Sequence, residues 1–199
     1  MNYLAHLYLS GNHEQLKVGN FIGDFVKGKQ HEELAPMIAK GVLLHREIDL
    51  YTDAHPIVGL SKDKLRGKYR HYSGVIVDMY YDHFLAKNFH LYSDVSLEDF
   101  VQASYDTMQA HWDVIPPRGQ HMLPYMIKGN WLVNYAKPEG IHRALQGLSR
   151  RTKFESKLEL AIQDLYEHHD SFENEFKDFF KEIELHISQF REDLINSSQ

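Results

Sequence analysis

The chain contains no cysteine. Disulfides, thiolate zinc sites and cysteine nucleophiles are therefore excluded, and any metal must be held by nitrogen and oxygen. No stretch approaches the roughly 18 uninterrupted apolar residues of a membrane span. The opening residues, MNYLAHLYLSG, have neither a basic leader nor a long apolar core, so a cytoplasmic protein with no membrane partner is expected. Basic residues are in the minority, 22 Lys and Arg against 28 Asp and Glu, and the formal charge of −6 argues against a protein that coats nucleic acid. Alternating β-branched runs bounded by hairpin turns are nearly absent, as are internal repeats, low-complexity tracts and flexible linkers.

What is present is ordinary globular usage, 43% hydrophobic and 25% charged over 199 residues, which fits one helical domain spanning 1–199. Helical periodicity dominates, so the expected fold is all-α, a compact helical bundle. Asn2 is placed to cap a short helix over Tyr3 to Leu9, and a second should follow Asn12 and stop at Gly28. Pro36 suits the start of a helix running to about Thr52, with Pro56 beyond its end. Tyr69 to Asn88 is strongly apolar, and Ser96 with Asp99 forms a capping box opening a helix to about Trp112. Pro116 and Pro117 break the chain. Helices are then expected over Gly119 to Ala136 and Pro138 to Gly147, and from Thr152 to near Asn196 with a break around His168 to Ser171. Phe172, Phe176, Phe179, Phe180, Ile183, Ile187 and Phe190 make a core stripe on the last of these, and residues 194–199 a fraying tail.

Fourteen histidines stand out, and spacing selects among them. In the apolar segment Gly74 to Ala86, Asp78, Asp82 and His83 are the only ionisable groups other than two tyrosines. Buried acids need a cation or full hydrogen bonding, and a divalent metal would answer both aspartates, which lie one helical turn apart. In LLHREIDLYTD, His45, Asp49 and Asp53 follow at i, i+4 and i+8 along one helical stripe. Imidazole and carboxylate suit manganese, iron or zinc. Asp24 sits among Phe21, Ile22, Phe25 and Val26, with Asn20 four residues earlier on its face. His6 is the one titratable group other than tyrosine in another apolar helix.

These residues carry a resemblance. N-Y-L-A-H at 2–6, G-N-x-x-x-D-F-V-K-G at 19–28, H-R-x-I-D-x-x-T-D at 45–53 and D-x-x-x-D-H-F at 78–84 resemble the acyl carrier protein phosphodiesterase family, and the likeness continues through N-W-L-V-x-Y at 130–135 and G-L-S-R-R at 147–151. That family is a divergent relative of the HD-domain phosphohydrolases, so the resemblance implies an HD-like helical fold. It also implies cleavage of the 4′-phosphopantetheine arm from holo acyl carrier protein, with manganese the preferred ion and magnesium, iron(II) or cobalt as substitutes. This chain has Asp82-His83 where the wider superfamily has His-Asp.

On that basis His6, Asp24, His45, Asp49 and Asp82 are the expected metal ligands, Asp78 or His83 the supporting partner or general acid, and Arg46 the group that neutralises the phosphodiester. The basic run Lys62, Lys64, Arg66, Lys68 and Arg70 is the expected docking surface for the acidic carrier protein. Two other readings share parts of this chemistry. One is an HD-type hydrolase of a nucleotide or other small phosphodiester. The other is a non-catalytic helical metal-binding module, although a di-iron bundle uses two Glu-x-x-His motifs and only Glu139-x-x-His142 occurs.

Overall fold

A computed structural model describes residues 1–152 and 155–197, and among these it contains α-helices and short 3-10 turns but no strand. Local sequence sets most helix starts. The Asn2 side chain accepts from the Tyr3 N–H to open α1 (Tyr3–Leu9). Proline occupies the first turn, where its missing N–H is harmless, in α3 (Pro36–Ala54), α4 (Pro56–Tyr69), α7 (Pro117–Lys128) and α9 (Pro138–Ser149). The N-cap expected at Ser96 forms: its hydroxyl accepts from Asp99 N–H at 3.0 Å and donates to Asp99 Oδ2 at 2.7 Å, opening α6 (Leu97–Ala110). The remaining helices are α2 (Glu14–Ile22), α5 (Ser73–Lys87), α8 (Trp131–Asn134), α10 (Ala161–Glu167) and α11 (His169–Asn196).

Three stretches differ from expectation. The segment expected as one helix to Gly28 ends at Ile22 and passes into a 3-10 turn, Gly23–Phe25, with Gly28 left-handed at φ +52°. The helix expected over 119–136 is interrupted because Asn130 adopts φ +42° after Gly129, separating α7 from α8. The helix expected from Thr152 begins at Ala161, after Lys157 at φ +55° and a 3-10 turn; Lys153 and Phe154 lie outside the described residues. The 56–69 stretch is a helix throughout. At the C-terminus α11 persists to Asn196, and Ser198 and Gln199 lie outside the described residues.

The core forms around α5, which touches α1, α4, α9 and α11. Tyr80, Tyr81 and Phe84 of α5 meet Phe172, Phe176 and Phe179 of α11 at ring separations of 5.1 to 5.9 Å. Such aromatic pairs add about 0.5–1.5 kcal/mol each beyond the burial of their area. The expected stripe on α11 is the core face, with Phe190 packed at its margin.

The tightest helix pair is α2 against α3, which approach backbone to backbone. A Cβ on Gly19 would lie 2.0 Å from the Ile38 carbonyl oxygen, and one on Gly41 2.3 Å from that of Leu16. Only glycine at both positions allows this spacing. Gly19→Ala or Gly41→Ala should therefore lower unfolding stability by about 1–3 kcal/mol or more through overpacking. Gly59→Ala, where a Cβ meets open space within α4, should raise it by roughly 0.5–1 kcal/mol. Urea unfolding of the three variants checks both signs.

Candidate metal centre

The close approach of α2 and α3 brings side chains from four segments to one opening: His6 on α1, Asn20 on α2, Asp24 in the 3-10 turn, and His45 with Asp49 on α3. Glycine is needed again at residue 23, because a Cβ there would sit 2.2 Å from the His45 ring. The two imidazoles stack with centroids 4.2 Å apart. Both are buried, while Asp49 and Asp24 reach toward solvent.

Asn20 fixes both rings. Its Nδ2 donates to the His6 carbonyl oxygen (2.8 Å) and to Ser10 Oγ (2.9 Å), so its Oδ1 is the atom facing His6 Nδ1 at 2.8 Å. His6 Nδ1 must therefore be the donor. The Asn20 backbone carbonyl lies 2.9 Å from His45 Nδ1, and a carbonyl only accepts, so His45 Nδ1 also carries hydrogen. Each Nε2 is left pointing at acid: His6 Nε2 is 3.2 Å from Asp49 Oδ1, and His45 Nε2 is 3.2 Å from Asp49 Oδ2 and 3.5 Å from Asp24 Oδ1. Two neutral imidazole lone pairs facing carboxylate oxygens repel unless a cation lies between them.

Without a metal, that cation is a proton on His45. Burial opposes it, but the hydrogen bonds to Asp24 and Asp49 prevail and raise His45 to about 9. Burial, followed by the charge on His45, lowers His6. Asp49 is pulled well below the carboxylate range by hydrogen bonds to His45 and His6 despite its burial, and Asp24 is lowered first by its bond to His45. The ligand atoms of His6, His45 and Asp49 all lie within 4.8 Å of one another, and the donor set of two imidazole nitrogens and carboxylate oxygens fits a divalent ion. Clamping Nδ1 to fix Nε2 as ligand is how metal-binding histidines are usually held.

Of the expected ligands, then, His6, Asp24, His45 and Asp49 come together. Asp82 does not join them. Fully buried, it accepts the N–H groups of Asn2 (3.2 Å), Leu4 (2.8 Å) and Ala5 (3.3 Å), and so caps the N-terminus of α1 from α5. Burial lifts its carboxyl to about 7 against these bonds. Asp78 is 2.9 Å from the amino group of residue 1. His83 points elsewhere, its Nδ1 bonded to the Tyr135 carbonyl oxygen at 2.7 Å. Arg46 does not face the opening but clamps the loop after Asp24, donating to the carbonyls of Val26 (3.2 Å) and Gly28 (2.6 Å).

The basic run is largely neutralised within the chain. Lys62 pairs with Asp53 (2.7 Å), Lys64 with Glu175, Arg66 with Asp63 (3.1 Å) and Lys68 with Asp164 (2.5 Å), leaving Arg70 without an ion pair among the described residues. By contrast, no acid among the described residues pairs with Arg118 or Arg151, which share an opening with Asp24 and Tyr3. Sequence reading assigned no role to Arg118, and marked Arg151 only as part of the 147–151 motif. Asn20 stood out by its helical spacing from Asp24, but its bonds to both imidazoles depend on the packing of three segments.

Two outcomes follow from this geometry. Because a bound ion must displace the proton on His45, the apparent affinity for Mn2+ should climb as pH rises from 6.5 toward about 9, the raised value of that ring; calorimetric titration across this range would show it, and a flat profile would contradict it. Asp49→Ala should abolish the rise in melting temperature that the ion produces. Asp82→Ala, which strands buried N–H groups, should instead lose about 1–3 kcal/mol with or without the ion.

The family model described as acyl carrier protein phosphodiesterase matches residues 1–183. An acyl carrier protein phosphodiesterase of Yersinia enterocolitica is 32% identical over 181 residues, covering 90% of this chain and 94% of the relative. One from Escherichia coli is 30% identical over 190 residues, covering 95% and 98%. No solved structure matches the chain significantly.

Proposed function

The chain belongs to the acyl carrier protein phosphodiesterase family, and from that premise we propose that it is a metal-dependent phosphodiester hydrolase that releases 4′-phosphopantetheine from holo acyl carrier protein, leaving the apo protein. The observation that carries the metal dependence is the pair of clamped imidazoles whose Nε2 atoms face a shared carboxylate. Manganese is the proposed ion, with magnesium, iron(II) or cobalt able to replace it. When bound, such an ion acts as a Lewis acid toward water and the phosphoryl oxygens.

The chain's own residues do the rest. Asn20 holds both rings in the tautomer that presents Nε2. Asp49 bridges the two histidines, and Asp24, more than half exposed and held by one contact, completes the ligand set. Arg46 contributes indirectly by anchoring the loop that follows Asp24. Neutralising the phosphodiester, the role first expected of Arg46, passes to Arg118 and Arg151 beside the opening. Those two arginines and Arg70 of the 62–70 run, with no carboxylate partner among the described residues, are also available to meet an acidic carrier. Charge pairing of this kind steers encounter and orientation more than it adds affinity.

Incubation of the protein with Mn2+ and holo carrier should remove the phosphopantetheine mass from the carrier, and chelation should stop it. Turnover by rigorously metal-free protein contradicts the metal role. Conversion of a nucleotide or other small phosphodiester in place of the carrier contradicts the substrate, and inactivity on all of them leaves only a metal-binding module. Reversing Arg118 and Arg151 to glutamate should raise the KM for carrier protein about tenfold or more at low salt, a loss of roughly 1.4 kcal/mol. Reversing Lys64, Arg66 and Lys68 should change it much less. The opposite ranking would return the docking face to the 62–70 run.

A further inference from the structure

Beside the candidate metal centre lies a second cavity of about 340 Å³, within the roughly 300–1,000 Å³ range of small-molecule sites. The two spaces share Asn2 and Tyr3 as common wall. Met79, Met122, Trp131 and Leu148 make the interior mainly apolar, and Arg143 and Arg151 add two cations to its lining. Arg151 also lines the opening that contains Asp24, so one cation borders both the cavity and the acid end of the site. The room comes from α9, whose facing positions Ala144 and Gly147 are small; a Cβ on Gly147 would meet nothing within 4 Å. Of the groups given a part in the proposed hydrolysis, Arg151 alone borders this space.

We infer that this cavity seats the pantetheine arm of the substrate, with the phosphate end at Arg151 and the arm running past Tyr3 between Trp131 and α9. The inference rests on the proposed function and adds to it a recognition site for the leaving group. Its chemistry matches the occupant: a linear arm with a geminal dimethyl group and two amides needs apolar walls with a few polar atoms. The cation sits at the end where the arm carries its negative charge. Tyr3 joins the two spaces, its hydroxyl held undissociated by burial and by the nearby Asp24, and so able to donate to a phosphodiester oxygen.

Trp131 gives a direct readout, since the chain has two tryptophans and the other, Trp112, is not part of the cavity. In Trp112→Phe protein loaded with Mn2+, added pantetheine should change Trp131 fluorescence saturably. Adding Gly147→Phe or, separately, Ala144→Phe should weaken that binding at least tenfold while circular dichroism shows the helical fold retained. The same two variants should raise the KM for holo carrier and leave the hydrolysis of bis(4-nitrophenyl) phosphate unchanged. Absence of a saturable change, equal pantetheine affinity in both variants, or an unaltered KM for holo carrier would overturn the assignment. Failure of the wild-type protein to release the arm would count against the proposed function alone, because pantetheine binding at Trp131 is scored independently of turnover.

Discussion

Everything at the candidate centre depends on how closely two helix backbones can lie. Gly19 and Gly41 let α2 press against α3 until the Asn20 carbonyl reaches His45, and Gly23 leaves space for the His45 ring itself. Once those backbones are in place, the Asn20 amide reaches the other way, to His6 and Ser10 of the first helical segment. One residue thus ties three segments together through buried hydrogen bonds. Asp82 secures the same helix from the opposite end by accepting its free N–H groups. The histidines are held from behind, so the faces they present to solvent are fixed before any ligand arrives.

The treatment of buried charge separates scaffold from site. Elsewhere the buried acids are answered within the chain: Asp82 by a helix N-terminus, and Asp164 by Lys68 and the Tyr69 hydroxyl. At the opening, by contrast, two acids meet two imidazoles whose remaining nitrogens already donate elsewhere, and the balance is closed by one proton. A site completed by a removable proton is one that a cation of higher charge can take over. The cluster His169, Asp170 and Glu173 differs in this respect, since Lys87 already lies against it.

Much of this was legible in the residues. Proline and capping positions located the starts of α1, α3, α6 and α9, and the phenylalanine stripe of α11 marked the core. His45 and Asp49 were readable as one-turn neighbours, and His6 and Asp24 as polar groups out of place in apolar helices. Asp82 and His83 satisfied the same criterion but face other partners, because periodicity says that a group is buried without saying what it faces. The helix N-terminus that meets Asp82 and the carbonyl that meets His83 belong to segments about eighty and fifty residues away along the chain. Arg46 adjoins His45 in sequence but leaves the helix on another side, by about 100°. The 62–70 run was legible as charge, while two of the four acids that neutralise most of it, Glu175 and Asp164, come from elements distant in sequence.

The most direct test of this account is anomalous diffraction from crystals of the protein soaked with Mn2+. A single strong peak coordinated by His6 Nε2, His45 Nε2 and Asp49, with the Asn20 contacts to both Nδ1 atoms intact, is the predicted result. A peak at Asp82, at His169 and Glu173, or nowhere within reach of the two imidazoles would contradict it.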